Sequence, residues 1–225
     1  MKERKTCAVV GSGPVGLAAI LAAAAMYKPK AVIAIDLNAD RLELAMKMGA
    51  THSILVPNDG DCVAKVKEDI LNIVGEDENG VDLVVEAVGL PSAWYVTQDI
   101  VKPGGNIAIL GVHGKSVTMN LERMWYRNFT LTAGMVHGWS VPQLMDKVEE
   151  GILRSHLLIS HHWKLSEIEK AYDLFNGRKD GALKMLLTND EPQKAREQED
   201  KLSISAIRES CDEYRKEMFE LSRND

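Results

Sequence analysis

The chain has 225 residues and a formal net charge of −6, and 45% of its residues are hydrophobic. This length suits one large domain or one and a half, with enough apolar residues for a buried core. The negative charge and the scattered Lys and Arg residues argue against nucleic-acid binding, which needs clustered positive charge. The longest apolar run, Val15 to Met26, is too short to span a bilayer, and the N-terminus lacks a signal-peptide pattern. We therefore expect a cytoplasmic protein that binds neither nucleic acid nor membrane.

Strand and helix patterns alternate along the first 135 residues. Short apolar runs predict six strands, at Thr6 to Val10, Ala31 to Ile35, His52 to Val56, Val81 to Glu86, Asn106 to Leu110 and Phe129 to Ala133. Helical spacing predicts helices near Pro14 to Met26, Ala39 to Met48, Asp61 to Val74 and Pro91 to Val101. The early strands are almost continuously apolar, which is typical of a parallel sheet buried on both faces. The predicted class is α/β, a Rossmann-type doubly wound parallel six-stranded sheet in the order 3-2-1-4-5-6.

A glycine-rich turn follows the first predicted strand. It consists of Gly11, Ser12, Gly13, Pro14, Val15 and Gly16, in the spacing G-x-G-x-x-G. The first glycine permits the tight exit from the strand, the second lets phosphates approach the backbone, and the third lets the helix pack closely on the sheet. Pro14 falls in the first helical turn, where its missing N–H costs nothing. The pattern predicts a site for a dinucleotide pyrophosphate at the helix N-terminus, in preference to a purely structural turn.

Asp36 ends the second predicted strand, at the distance from the glycine-rich turn where an acidic residue binds the adenosine ribose. Its charge would repel a 2′-phosphate, and no Arg or Lys follows at positions 37 to 40. We therefore predict NAD, rather than NADP, as the cofactor.

The cysteines and histidines do not form a metal-binding pattern. Cys7, Cys62 and Cys211 are odd in number and far apart, which fits neither a disulfide framework nor a zinc cluster. Of the six histidines, His161 and His162 are adjacent and would point to opposite faces of an extended segment, and the other four lack Cys or acidic neighbours at ligand spacing. His113 follows the fifth predicted strand and could approach a nicotinamide, but the sequence shows no partner to orient it as a general base. We interpret it as a surface-loop residue.

Several segments together resemble the zinc-type medium-chain alcohol dehydrogenases. These are GSGPVG at 11 to 16, Asp36 followed by Arg41, VVEAVG at 84 to 89, VKPGGNIAILGV at 101 to 112, and the later AYDLF and GALKMLLT segments. The resemblance covers roughly Thr6 to Asn189. It implies cofactor contacts by Arg41 at the adenosine ribose, Val88 near the adenine side, and Leu110, Gly111 and Val112 along the nicotinamide. It also implies that Gly134 and Met135 hold the nicotinamide carboxamide by their backbone and that Lys184 contacts the pyrophosphate, although Lys184 could equally be a solvated residue and Gly134 and Met135 an ordinary strand end.

The same resemblance implies what this chain lacks. In the full enzymes a preceding domain supplies the Cys and His ligands of the catalytic zinc and most of the substrate pocket, and those motifs do not occur in this sequence. We expect that this chain does not bind the zinc ion typical of the family. A separate zinc-domain polypeptide is a possible partner. In the family the strand corresponding to Phe129 to Ala133 pairs with its copy in a second subunit, which implies a homodimer through this edge.

We predict three segments: an NAD-binding domain at 1–135, a C-terminal remnant of the catalytic domain at 136–189, and a charged, helical tail at 190–225. Helices are predicted at Val141 to Ile152 and Leu165 to Phe175, and by resemblance they would pack on the absent domain and so leave an apolar face exposed. In the tail, apolar residues recur at three- and four-residue steps, as on one face of a helix that packs on its own protein or a partner.

Three functions remain open from the sequence. The first is the cofactor-binding portion of an NAD-dependent alcohol or polyol dehydrogenase, inactive without a zinc-binding domain. The second is a stand-alone NAD(H)-binding or sensing module without catalysis. The third is a degenerate fragment that assembles with itself or a partner but does not bind NAD.

Overall fold

The computed structural model describes residues 5–57, 61–136 and 138–189. Six parallel strands form one sheet in the order β3-β2-β1-β4-β5-β6, and two more form a separate parallel pair, β7-β8. The strands are β1 (Thr6–Val10), β2 (Ala31–Asp36), β3 (His52–Leu55), β4 (Val81–Glu86), β5 (Val101–Ile109), β6 (Thr130–Ala133), β7 (His161–Lys164) and β8 (Met185–Thr188). The predicted class and strand order are confirmed.

Seven α-helices lie in the described part of the chain. They are α1 (Pro14–Ala22), α2 (Ala39–Lys47), α3 (Cys62–Val74), α4 (Pro91–Ile100), α5 (Leu121–Met124), α6 (Val141–Glu149) and α7 (Ile168–Asn176). Their starts follow from local chemistry. Pro14 and Pro91 occupy the first turns of α1 and α4, while the side chains of Asn38 and Asp61 cap α2 and α3.

Both faces of the six-stranded sheet are covered by helices. On one face, Val9 and Ala34 pack with Leu17 and Ile20 of α1 and with residues of α2. On the other face, alternate residues of the same strands pack against α3 and α4. All of β1 is buried, because side chains pointing in either direction meet a helix layer. This doubly wound arrangement fixes which strand ends form a common edge.

Two element boundaries differ by four residues or more from those predicted, while several others differ by one to three. Strand β5 begins at Val101 rather than at Asn106, and the pairing of β4 with β5 shifts register between Val81 and Leu83. The first helix is regular only to Ala22, after which a wider turn over Ala23–Tyr27 leads to Lys28, whose φ of 47° ends the element.

The segment after β6 packs on the main sheet through a few buried residues. Leu153 and Leu183 join the apolar cluster that contains Leu17 of α1. By contrast, α6 buries no residue completely and α7 buries only Ala171. The predicted exposure of apolar residues here is confirmed, since Tyr172 and Phe175 of α7 are 60% and 45% exposed. The predicted tail helix lies outside the described residues.

No helix in the described ranges has both the length and the apolar composition that crossing a membrane requires.

Candidate functional site

The predicted site residues that follow sheet strands gather at one edge of the sheet. Parallel strands place all their carboxyl ends together, so the glycine-rich loop after β1, Asp36 at the end of β2 and the segments after β4, β5 and β6 face the same side. β1 lies between β2 and β4, which is where the direction of winding changes. Open α/β sheets bind ligands in the crevice at such a switch point.

The glycine-rich loop is shaped by contacts within the protein at two of its glycines. Gly11 has a φ of 96° and donates its N–H to the Ile35 carbonyl oxygen at 2.8 Å. A Cβ on Gly16 would overlap the Gly11 carbonyl oxygen, so α1 can lie this close only with glycine there. A Cβ on Gly13, by contrast, would meet no protein atom within 4 Å. Gly13 therefore faces open space at the mouth of the crevice.

The N-terminus of α1 is left without an acceptor from its own side chains. Gly13 occupies the cap position with no side-chain hydrogen bond, and the first turn contains no acidic residue. The first bond within the helix runs from the Leu17 N–H to the Gly13 carbonyl oxygen at 2.9 Å. The earlier N–H groups, including that of Val15, have no partner within the helix. These groups and the helix dipole favour an anion at this point.

Asp36 is tied to the loop beside it. Its Oδ2 accepts a hydrogen bond from the Ser12 N–H at 2.6 Å, and its Oδ1 accepts one from the Asn38 N–H at 2.9 Å. Each carboxylate oxygen can accept a second bond, so both remain able to bind hydroxyl groups. Arg41 lies in the first turn of α2, where its N–H donates to the Asn38 side chain at 3.0 Å. Asn38 thus links the two residues, donating its backbone N–H to Asp36 and accepting the Arg41 N–H with its side chain.

Glu86 was not predicted as a site residue, although it ends β4 just as Asp36 ends β2. It is fully buried, and its Oε1 accepts hydrogen bonds from the N–H groups of Val88 and Gly89, both at 2.9 Å. Its Oε2 lies 3.1 Å from Nε2 of His113. His113 lies in a loop, as interpreted, but only 19% of its side chain is exposed and it has the partner that the sequence did not show. An acidic residue at the end of an apolar strand was the signal in the sequence that could have revealed it.

Exposed apolar side chains line the β4 to β6 side of the crevice. Leu110 and Val112 after β5 are 46% and 85% exposed, and Met135 after β6 is 82% exposed. Val88 after β4 is also exposed, and its Cγ2 lies beside Gly11. Gly134 has open space around its Cα. A few polar groups among apolar walls are characteristic of small-molecule sites.

Lys184 lies outside the main sheet, directly before β8, yet the fold brings it to the glycine-rich loop. It lines a cavity of about 320 Å³ together with Pro14, Tyr172 and Phe175. Its side chain is exposed, while its backbone N–H donates to the Ser160 hydroxyl at 3.1 Å. A cation next to Pro14 adds to the positive potential at the start of α1.

A dinucleotide fits the chemistry of these residues. The crevice offers an uncapped helix N-terminus, open space at Gly13, and the Ser12 hydroxyl, which is buried without a hydrogen-bond partner among the described residues. A catalytic zinc ion does not fit in the same way. Within residues 5–57, 61–136 and 138–189, no three His, Cys, Asp or Glu side chains come together.

The fold and crevice define a nucleotide-binding protein of the doubly wound α/β class. Residues 14–150 match the zinc-binding dehydrogenase family, and the chain belongs to that family. It is 32% identical over 186 residues to an alcohol dehydrogenase from Cupriavidus necator, covering 81% of this chain and 49% of that protein.

Two solved structures are also similar. Zinc dependent alcohol dehydrogenase 2 from Streptococcus pneumonia, in an apo form, has a TM-score of 0.77 and 38% identity, covering 84% of this chain and 53% of that one. A putative zinc-binding dehydrogenase from Sinorhizobium meliloti 1021, bound to NADP, has a TM-score of 0.72 and 27% identity, covering 83% and 53%. The chain spans about half the length of the relatives that it matches.

Proposed function

We propose that the protein binds NAD(H) and is the cofactor-binding portion of an NAD-dependent alcohol or polyol dehydrogenase. The observation that carries this proposal is the open N-terminus of α1 beside Asp36: free N–H groups for a pyrophosphate on one side, a fixed carboxylate for a ribose on the other. Family membership supports the dehydrogenase part.

Different residues of the crevice contact different parts of the cofactor. The N–H groups of Gly13, Val15 and Gly16 would hold the pyrophosphate, assisted by the Ser12 hydroxyl and Lys184. Asp36 accepts from the adenosine ribose hydroxyls, with Arg41 beside it and Val88 on the adenine side. Leu110 to Val112 would line the nicotinamide, and the backbone of Gly134 and Met135 would hold its carboxamide. Bound there, NAD would supply the hydride acceptor for the oxidation of an alcohol.

The charge around Asp36 favours NAD over NADP. Leu37, Asn38 and Ala39 carry no charge. A 2′-phosphate on the ribose that Asp36 binds would meet the Asp36 carboxylate, which disfavours it electrostatically.

Alcohol oxidation in this family would need zinc ligands that the described residues do not bring together. We propose that the isolated chain is inactive and that a separate zinc-domain polypeptide would complete the site. The exposed apolar side chains of α6 and α7, among them Val148, Tyr172 and Phe175, suit burial against such a domain.

A second candidate is a stand-alone NAD(H)-binding or sensing module without catalysis, favoured by the same lack of a three-ligand cluster among the described residues. The two differ in one result. Under the first, NAD with zinc and an alcohol gives NADH once a zinc-domain polypeptide is added; under the second it never does.

We further propose a homodimer through β6, whose one described neighbour is β5 and which leaves its other edge available for pairing. Its residues Thr130, Thr132 and Ala133 are exposed, as pairing with a second copy requires.

A cytoplasmic location is proposed from the scattered cysteines, since Cys7 and Cys62 are free thiols.

Calorimetric titration with NADH tests the proposal, with Gly13→Val as the decisive variant. Gly13 has a φ of −74° and a ψ of −176°, which any residue adopts, and a side chain there meets no protein atom. The variant should therefore unfold at nearly the same temperature as the wild type while losing NADH binding by at least about a hundredfold. Ser53→Val, at an exposed position on β3 outside the glycine-rich loop and the β4 to β6 side of the crevice, is the control. Equal NADH affinity in wild type and Gly13→Val would overturn the proposal.

A further inference from the structure

We propose that His113 is a positioning residue for the nicotinamide half of the crevice, acting through its hydrogen bond to Glu86. This inference rests on the proposed binding of NAD(H). It concerns the two loops that leave β4 and β5, here called the β4 loop (residues 87–90) and the β5 loop (residues 110–113).

Glu86 joins the two loops by itself. Its backbone carbonyl oxygen accepts hydrogen bonds from Leu110 and Gly111 of the β5 loop, at 2.8 and 3.0 Å. Its side-chain Oε1 accepts from Val88 and Gly89 of the β4 loop. The remaining oxygen, Oε2, lies 3.1 Å from Nε2 of His113. A carboxylate only accepts, so the imidazole Nε2–H is the donor.

The two loops pack too closely for a side chain at another position to replace this contact. A Cβ on Gly111 would lie 2.5 Å from Glu86 Oε2, and a Cβ on Gly89 would overlap the backbone of Val112. Gly89 also has a φ of 81°, which glycine adopts readily. Glu86 has no exposed surface, so no solvent reaches Oε2 while His113 is in place. An unsatisfied buried carboxylate oxygen is costly, and the β5 loop would shift to relieve it.

The same bond orients the imidazole ring. The other ring nitrogen, Nδ1, is buried and has no hydrogen-bond partner within the described part of the chain. Among those residues, Glu86 is thus the polar contact that sets the position of the His113 side chain. Without it, both the ring and the backbone of Val112 next to it are free to move.

The position of the pair limits its effect to one half of a dinucleotide. The two halves of a doubly wound sheet each take one nucleotide, on either side of the switch point. Asp36 at the end of β2 assigns adenosine to the β1 to β3 half. The nicotinamide half then lies over β5 and β6, beyond Val88 of the β4 loop on the adenine side, and it includes the β5 loop that carries His113.

The test compares NADH with ADP-ribose, which has the adenosine, pyrophosphate and second ribose but no nicotinamide. In the 225-residue protein, His113→Ala should weaken NADH binding about tenfold, the effect of losing one hydrogen bond to a charged group. ADP-ribose affinity should change by less than about twofold, because its adenosine and pyrophosphate contacts, at Asp36 and the start of α1, do not involve the β5 loop. His113→Gln, whose side-chain amide can donate to Oε2, should recover most of the NADH affinity.

The matched control is His52→Ala. His52 begins β3 at the opposite edge of the sheet, where its Nδ1 lies 2.9 Å from the Thr51 hydroxyl, and its removal should change neither affinity. If His113→Ala does not fold, His113→Leu replaces it in the same comparison. If His113→Ala weakens NADH and ADP-ribose binding equally, or does not weaken NADH binding, the inference is overturned. The proposed function stays intact in either case as long as the wild type binds NADH. A wild type that binds neither ligand overturns both.

Discussion

The backbone N–H of Ser12 donates a 2.6 Å hydrogen bond to Oδ2 of Asp36, which joins the glycine-rich loop to the end of β2. The Asn38 N–H holds the other carboxylate oxygen at 2.9 Å. These two bonds fix the carboxylate before any ligand binds, so little conformational entropy of its side chain is lost when a ribose binds. The carboxylate is thereby held at a fixed distance from the N-terminus of α1.

Asp36→Ala should therefore weaken NADH about tenfold and bring the NADPH and NADH affinities close together, because the acceptor for the ribose and the charge that repels a 2′-phosphate are both lost. Calorimetric titration with the two cofactors measures both effects. Asp40→Ala, which removes an exposed carboxylate from the same helix turn, is the control for net charge. A wild type that binds the two cofactors equally, or an Asp40 variant that shifts their ratio as much, would contradict the role given to Asp36.

Substitution by alanine should destabilise the protein at Gly16 but hardly change its stability at Gly13. Gly16→Ala places a methyl group on the Gly11 carbonyl oxygen and should lower the free energy of unfolding by about 1–3 kcal/mol. Gly13→Ala meets no protein atom and should change it by less than about 1 kcal/mol. Urea denaturation of both variants measures the difference. Equal stability would show that the close contact between α1 and the loop is not as described.

The sequence predicted the fold well because the information was local. The bounds of β1 and β4 are as predicted, since unbroken apolar runs between polar residues define both. The start of β5 was missed because Pro103, Gly104 and Gly105 read as a turn, whereas the strand runs through them with a register shift in its pairing.

The contact between Glu86 and His113 shows the limit of such reasoning. The residues are 27 positions apart, and their contact depends on β4 and β5 being neighbours in register. No spacing rule connects them. Asp36, by contrast, was found because its distance from the glycine-rich turn is a property of one strand-helix-strand unit.

Asp82 should make the stability of the protein depend on pH below about 4, near the ordinary value for a carboxyl group. Burial acts to raise the pKa of Asp82, but hydrogen bonds from the Thr6 N–H and hydroxyl and from Lys102 outweigh it, so the pKa is lowered. A lowered pKa in the folded state adds stability above the unfolded-state pKa, and that stability is lost as the pH falls through the folded-state value.

Asp82→Asn should accordingly be about 1–2 kcal/mol less stable than the wild type at pH 7, with the gap closing as the pH drops below 4. Thermal unfolding from pH 7 to pH 3 measures the gap. Asp77→Asn removes an exposed carboxylate from the turn before β4 and should show no such change. A gap that stays constant with pH would mean that the Asp82 carboxylate is not held by Thr6 and Lys102.

Cys7 should resist alkylation in the folded protein. Burial raises the pKa of its thiol to about 11, and only 3% of the residue is exposed. At pH 8 the reactive thiolate is then about a thousandth of the total, and the reagent cannot reach it. Cys62 at the start of α3 is partly exposed and should react with iodoacetamide at least about a hundredfold faster. Peptide mass mapping follows each cysteine separately, and in urea the two rates should become similar. Rapid labelling of Cys7 in the native protein would mean that β1 does not lie between two helix layers. The glycine-rich loop that follows β1 would then not be held with Gly13 facing the crevice.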